Sequence, residues 1–184
     1  GNKNGISRHI INIGNVFSAQ KDFPKALDYY FKALKIDEEL GDKNDIETIL
    51  GNIGSVYCEQ KDFPKALDYY FKALKIVEEL GNKSGTAIWL GNIGRLYSAT
   101  KKYAEAEKHL LQALAIDTTI GYLPHTENTL ENLSELYEKM GKPAQALEHY
   151  KKAMVAKDTL FNQDKNKEIT RKEMNYEFEK KETA

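Results

Sequence analysis

Between residues 46 and 57 the side chains Ile46, Ile49, Leu50, Ile53, Val56 and Tyr57 return at spacings of three and four. That is the period of one apolar face of an amphipathic helix. A second series begins after Asp62, a competent N-cap, and runs through Phe63, Ala66, Leu67, Tyr70, Ala73, Leu74 and Ile76. Pro24 and Pro64 fall in the first turn of such second helices, where a missing N–H costs little. Leu40-Gly41 and Leu80-Gly81 close them with a glycine free to take the left-handed conformation. The pattern predicts first helices near 5–20, 45–60, 85–100 and 125–140, and second helices near 23–40, 63–80, 103–120 and 143–160. Asn4, Asn44 and Ser84 stand where the first helices need a cap. Pro124 replaces that cap in the fourth, so its first turn is expected to differ.

The two-helix unit repeats with a fixed period. Lys21 to Ile36 returns unchanged as Lys61 to Ile76, an offset of forty. The same offset relates Gly41, Gly81 and Gly121; Gly14, Gly54, Gly94 and Ser134; Ala26, Ala66, Ala106 and Ala146; and Ala33, Ala73, Ala113 and Ala153. Self-similarity at this period marks supersecondary units that bury their apolar faces by stacking. Four units occupy 1–40, 41–80, 81–120 and 121–160, and a segment at 161–184 follows. Function is therefore to be sought on a surface shared by repeats.

Ile13-Gly14-x-x-Phe17 with Ala26-x-x-x-Tyr30 and Ala33 resembles the tetratricopeptide repeat. So do Ile53-Gly54-x-x-Tyr57 with Ala66, Tyr70 and Ala73; Ile93-Gly94-x-x-Tyr97 with Ala106, Leu110 and Ala113; and Leu133-Ser134-x-x-Tyr137 with Ala146, Tyr150 and Ala153. The resemblance covers residues 1–160 and implies an all-α fold, a right-handed α-solenoid of four stacked helix-turn-helix repeats, with a C-terminal helix added. Gly14 and Ala26 would let paired helices approach, with Phe17 and Tyr30 filling the gaps. The family's usual period is shorter, and its helix-ending proline is replaced by Glu38 and Glu78, so the second helices should run longer. The forty-residue variety is similar to the repeats of kinesin light chains and Pins-type scaffolds.

Charge narrows the partners. With 27 basic and 28 acidic residues the net charge is −1, which gives no electrostatic reason to expect nucleic acid. No apolar run approaches the roughly 18 residues of a membrane span, so no membrane contact is expected of this segment. The chain opens at Gly1, already inside an inter-repeat turn, and reads as an excised piece. Its one cysteine, Cys58, excludes an internal disulfide and leaves the compartment, cytoplasmic or periplasmic, open.

Catalytic chemistry is thin. His9, His109, His125 and His149 lie at scattered phases, and His109 and His149 share the repeat position of Tyr29 and Tyr69, which favours packing or surface roles. No His/Cys cluster has zinc spacing. Gly91-Asn92-Ile93-Gly94 lies inside a helix and lacks the lysine of a phosphate loop. Trp89 shares its position with Ile49 and is expected in the core. No cofactor or metal is expected, and the segment does not read as an enzyme.

On a helical wheel of the first repeat Ile13, Gly14, Val16 and Phe17 turn toward the stack, leaving Arg8, Ile11, Asn12, Asn15, Ser18 and Ala19 on the opposite arc. In tetratricopeptide repeats that arc lines a concave groove. One position on it holds the same residue four times: Asn12, Asn52, Asn92 and Asn132. Two readings are open. The amides bond to a neighbouring helix, or they form a row suited to an extended peptide, since an amide donates and accepts at once. Related families use asparagines in the second way. Side-chain selectivity would then come from Arg8, Asn15, Ile11, Thr48, Ser55, Ile88 and Arg95, and from the acidic far end of Glu131, Glu135 and Glu138 against Lys139. Such a groove suits a ligand that is apolar or acidic toward the first three repeats and basic at the fourth. Cys58, aligned with Ser18, Ser98 and Glu138, is expected open to solvent on the groove side.

The tail alternates in charge and spaces its apolar residues thinly, at Ile169, Met174, Tyr176 and Phe178. It is either a solvated capping helix or a coiled-coil linker able to form a weak homodimer. Thr159-Leu160-Phe161-Asn162, Lys167-Glu168-Ile169 and Tyr176 to Glu182 resemble a segment of Bacteroidetes sensor proteins, which implies a kinase, cyclase or DNA-binding output downstream. Two function classes follow. One is a non-catalytic peptide- or protein-binding scaffold in a signalling protein; the other is an assembly module acting through its tail with no ligand in the groove.

Overall fold

The computed structural model describes the backbone of residues 3–182 and the side chains of 3–174 apart from Ile169. Among these residues the secondary structure is helical throughout: α1 (Lys3–Ala19), α2 (Phe23–Leu40), α3 (Lys43–Glu59), α4 (Phe63–Glu79), α5 (Lys83–Ala99), α6 (Tyr103–Ile120), α7 (Leu123–Lys139) and α8 (Pro143–Glu182). All-α architecture follows directly from the two alternating apolar series. The tail adds no separate element, because α8 runs on without a break beyond the predicted end at 160. Ile169, Tyr176 and Phe178 of its apolar stripe lie outside the described side chains.

Each first helix begins about two residues earlier than its predicted start. The caps explain it. The Asp42 carboxylate accepts from the backbone N–H groups of Asn44 and Asp45, and the Asn82 side chain accepts from Gly85 N–H, so Asn44 and Ser84 already lie inside the helices. Tyr122 at the head of α7 supplies no side-chain cap, and Pro124 sits in the first turn. Asp22 and Asp62 cap α2 and α4 through Lys25 N–H and Lys65 N–H, as their positions required. Gly41 turns out of α2 at φ 69°, in the left-handed region that glycine adopts without cost.

The chain divides into two compact units, Gly1–Ile116 and Asp117–Ala184. In the first, consecutive helices pack in order from α1 to α5, and α1 also meets α3. Two buried clusters hold it together. Ile11, Ala26, Tyr30, Ala33, Ile49, Ile53 and Val56 join α1, α2 and α3. Leu50, Tyr70, Leu74, Val77, Trp89, Leu90 and Ile93 join α3, α4 and α5. A methyl carbon on Gly14 would lie 2.7 Å from the Tyr30 ring, and one on Gly54 2.7 Å from Tyr70. Small and large residues thus interlock as the repeated pairs predicted. Trp89 is buried as expected, with its ring over Gly51 and its Nε1–H donating to Glu47.

The wheel fails on one side of α1. Ile11 is 7% exposed and packs in the core, whereas Ile13 and Val16 are 41% and 55% exposed. Ile11 occupies the position of Gly51, which faces a packed neighbour rather than the groove. Ile53 and Val56, the counterparts of Ile13 and Val16, are covered because α2 precedes them; among the described residues no helix precedes α1.

In the second unit α7 packs along α8, and Leu130, Leu133, Leu136, Ala146, Ala153 and Ala156 are buried. Asp117 is fully buried there, its Oδ2 2.6 Å from His125 Nδ1 and accepting from the Thr129 hydroxyl at 3.3 Å. His149 packs on Tyr137 in this unit, and His109 packs on Tyr97 in the first.

Candidate functional site

The first helices α1, α3 and α5 carry the asparagine series on a face that the second helices do not cover. Asn12 is exposed, and Asn52 and Asn92 are half-buried. Arg8, Asn15, Thr48, Ser55 and Arg95 are exposed, and Ile88 is half-buried. In the second unit Asn132 and Glu131 are half-buried and Glu135 is exposed. Of the residues assigned to the arc, Ile11 alone is in the core.

Two cavities open on this face in the first unit. The larger, about 470 Å³, lies between α1 and α3 and is lined by Asn15, Ser18, Ala19, Tyr30, Asn52 and Ser55 among others. The smaller, about 130 Å³, is lined by Cys58, Tyr70, Asn92, Arg95, Leu96 and Ala99. The structure thus brings Asn15, Asn52 and Ser55 to one cavity and Asn92 and Arg95 to the other. Arg8 turns aside to pair with Asp45, its Nε 3.1 Å from Oδ2. The Thr48 hydroxyl is spent on the Asn44 carbonyl of its own helix. Arg8, Asn12, Thr48 and Ile88 line neither cavity. In the second unit Asn132 donates to Asn128, and Glu135 lies 3.9 Å from Lys139.

The floors of both cavities are tyrosines that the sequence marks only as bulky core positions. Tyr30 is 2% exposed, yet its hydroxyl reaches the groove and donates to Asn15 Oδ1 at 2.7 Å. Tyr70 lies 3.3 Å from the Ser55 hydroxyl. Burial pushes both phenols above their ordinary pKa, so they remain protonated donors at neutral pH. One signal was present: Leu110 fills the same position in the third repeat, so bulk alone does not require a hydroxyl.

Cys58 is on the groove side, as its alignment predicted, but it is only half-exposed. It packs against the cluster of Tyr70 and Trp89, and burial raises its thiol pKa against the opposing pull of Arg95. A thiolate is therefore scarce there at neutral pH. The surface offers hydrogen-bond donors, acceptors and one guanidinium around two apolar-floored recesses. Among the described residues no helix is long and apolar enough to cross a membrane.

Three family models, each described as tetratricopeptide repeat, match residues 10–40, 45–119 and 129–164. No curated protein matches the chain by sequence. Among solved structures, BtubC (BKLC) from P. vanneervenii aligns at 21% identity and TM-score 0.78, over 87% of this chain and 66% of that one. A Rap protein complexed with competence and sporulation factor aligns at 20% identity and TM-score 0.76, over 85% and 44%. A Podosopora anserina putative kinesin light chain with nearly identical TPR-like repeats aligns at 13% identity and TM-score 0.68, over 84% and 76%. The chain therefore spans less than half of the Rap protein and about two thirds of BtubC. These likenesses establish the fold class, an all-α helical-repeat solenoid.

Proposed function

Because the chain belongs to the tetratricopeptide repeat family, we propose that its first helices bind an extended peptide or protein segment without catalysing a reaction. Residues 1–160 serve as four repeat units in this reading, and 161–184 as the linker helix. The observation that carries it is the asparagine series: one amide per repeat, exposed at Asn12 and half-buried at Asn52, Asn92 and Asn132, with recesses beside Asn52 and Asn92. A peptide backbone needs both a donor and an acceptor at each contact, and the amide supplies both. Arg95 suits an acidic or polar side chain of the ligand. Asn132, Glu131 and Glu135 give the second unit a surface suited to a basic one. The solved Rap protein complexed with a factor supports a ligand-binding role for a fold of this kind. The parent protein is read as a signalling protein in which this segment senses or docks.

A second reading is favoured by α8 itself. It continues past 160 with Phe161 67% and Met174 69% exposed, which suits weak self-association of the tail. Sedimentation of the full chain against one ending at Phe161 separates the two: equal monomer masses at high concentration would remove the tail reading. The groove reading is tested with Asn52→Ala combined with Asn92→Ala and a peptide selected from a library. Each lost amide–backbone pair costs about 0.5–1.5 kcal/mol net, so affinity should fall by roughly five- to a hundredfold. A large drop in melting temperature with unchanged affinity would show that the asparagines are structural.

A further inference from the structure

We infer that the turns inside the first three repeats, which join α1 to α2, α3 to α4 and α5 to α6, form an edge that binds an acidic polypeptide through Lys21, Lys61 and Lys101. This surface is separate from the groove and does not depend on the groove reading. Each of the three lysines leaves its first helix at positive φ, 60°, 60° and 61°. Each donates its backbone N–H back into that helix, to the carbonyls of Ser18, Cys58 and Ser98, and the next residue's N–H reaches Phe17, Tyr57 and Tyr97. This is the left-handed helix cap that glycine fills without steric cost. The chain does use glycine there in other turns. Gly41, Gly81 and Gly121 stand at φ 66–69° between repeats. Gly141, at φ 69°, closes α7 with the same two bonds, to Glu138 and Tyr137.

A lysine held in this conformation costs free energy, so something besides the turn selects it. Duplication does not account for it. Lys21 and Lys61 open the identical stretch, but the third turn runs on as Lys102-Tyr103-Ala104-Glu105 and still begins with Lys101. The helix dipole favours a cation at such an end, yet the ends closed by glycine forgo it. All three side chains are exposed, and none is ion-paired among the described residues. A second lysine stands beside each: Lys25 over the Phe17 ring at 5.1 Å, Lys65 over Tyr57 at 5.0 Å and Lys102 over Tyr97 at 5.8 Å. Asp22 and Asp62 answer Lys25 and Lys65 at 2.7 and 2.8 Å. Glu59 and Glu105 are the further carboxylates of this edge, so positive charge is in excess there, in a chain whose net charge is −1. The interspersed carboxylates decide the partner. A nucleic acid or polyphosphate, charged at every unit, would be set against them; a polypeptide with spaced carboxylates meets the free lysines and avoids them.

The test uses the full chain and a labelled peptide alternating glutamate and serine, long enough to pass the three turns, with fluorescence anisotropy at low salt. Lys21→Gly, Lys61→Gly and Lys101→Gly combined should weaken binding roughly three- to a hundredfold. The same variant should melt higher than wild type, because glycine relieves three left-handed lysines. Arginine at the three positions keeps both charge and conformation and should bind as wild type does. A glycine variant that binds normally, or that melts lower than wild type, overturns the inference. So does a wild-type protein that ignores the peptide, or an arginine variant that has lost it. RNA or polyphosphate binding as tightly as the peptide would overturn the choice of a polypeptide. Loss of binding in Asn52→Ala with Asn92→Ala would put the peptide in the groove and remove the edge site. If the glycine variant fails to fold, asparagine at the same three positions, uncharged and tolerant of left-handed backbone, decides instead.

Discussion

Asp37→Val is expected to stabilise this protein. Asp37 is fully buried in α2. Its Oδ2 accepts from the Ser7 hydroxyl at 2.5 Å, and its Oδ1 has no hydrogen-bond partner among the described residues. Burial pushes its pKa above the ordinary carboxylate value, and nearby Asp45 and Asp42 push the same way, while Ser7 and Arg8 oppose. The second repeat carries Val77 at this position, also buried, so valine fits the site. A buried unpaired polar group costs about 1–3 kcal/mol, and the lost Ser7 bond is worth about 1 kcal/mol. Ser7 keeps an alternative acceptor, the Ala33 carbonyl at 3.5 Å. The net gain should therefore be up to about 2 kcal/mol at neutral pH, or up to about 8 °C in melting temperature for a chain of this size. The sign of the pH dependence follows from the raised pKa. The folded protein holds the Asp37 proton more tightly than the unfolded chain does. Wild-type stability from this site is thus greatest below the ordinary aspartate value of about 3.9, and is lost as pH climbs to the raised folded value. Thermal melts of both proteins from pH 3 to pH 8 measure it. The advantage of the valine variant should grow with pH; a constant difference, or a less stable variant at pH 7, would refute the account of a strained buried carboxylate.

Two further outcomes follow from packing. Gly51→Ala would put a methyl carbon 2.0 Å from the Trp89 ring, which is wedged against Tyr70 and cannot yield as a flexible chain end would. It should cost about 1–3 kcal/mol, with a shift in the fluorescence of this single tryptophan; a melting temperature equal to wild type would contradict the packing. Native Cys58 should react slowly with a bulky maleimide and quickly in urea, because its thiol is half-buried with a raised pKa. Prompt labelling of the folded protein would place it outside the cluster of Tyr70 and Trp89.

Most of the fold was written in spacing. The forty-residue offset, the Gly14–Tyr30 and Gly54–Tyr70 interlocks and the Asp22 and Asp62 caps are local or periodic, and periodicity survives in a bare sequence. Boundaries shifted where two capping residues competed, Asp42 over Asn44 and Asn82 over Ser84, because the better-placed acceptor extends the helix. The groove face was partly legible: the asparagine series was visible, and Ile11 was misplaced since a wheel averages over neighbours that differ from helix to helix. The bonds that fix Asn15 were not legible. They depend on the height of a tyrosine oxygen in the core, and no spacing rule encodes that. The buried Asp37 and Asp117 were equally silent, since each breaks the apolar pattern that made the rest readable.

From Lys21 to Gly41 and from Lys61 to Gly81 the chain is the same but for Asp37 against Val77. During folding, α2 and α4 are therefore near-perfect decoys for one another, and a collapsing chain could seat either beside α1 or α3. Misassembly of this kind is a characteristic hazard of repeat proteins. The single difference acts as an address label. Beside α1, Asp37 meets the Ser7 hydroxyl; forty residues on, the position of Ser7 is held by Glu47. A swapped α2 would bury its carboxylate against another, an error on the order of 3–5 kcal/mol when no partner compensates. The same aspartate that weakens the finished molecule thus penalises the wrong one more, and the valine variant that melts later should also refold less uniformly.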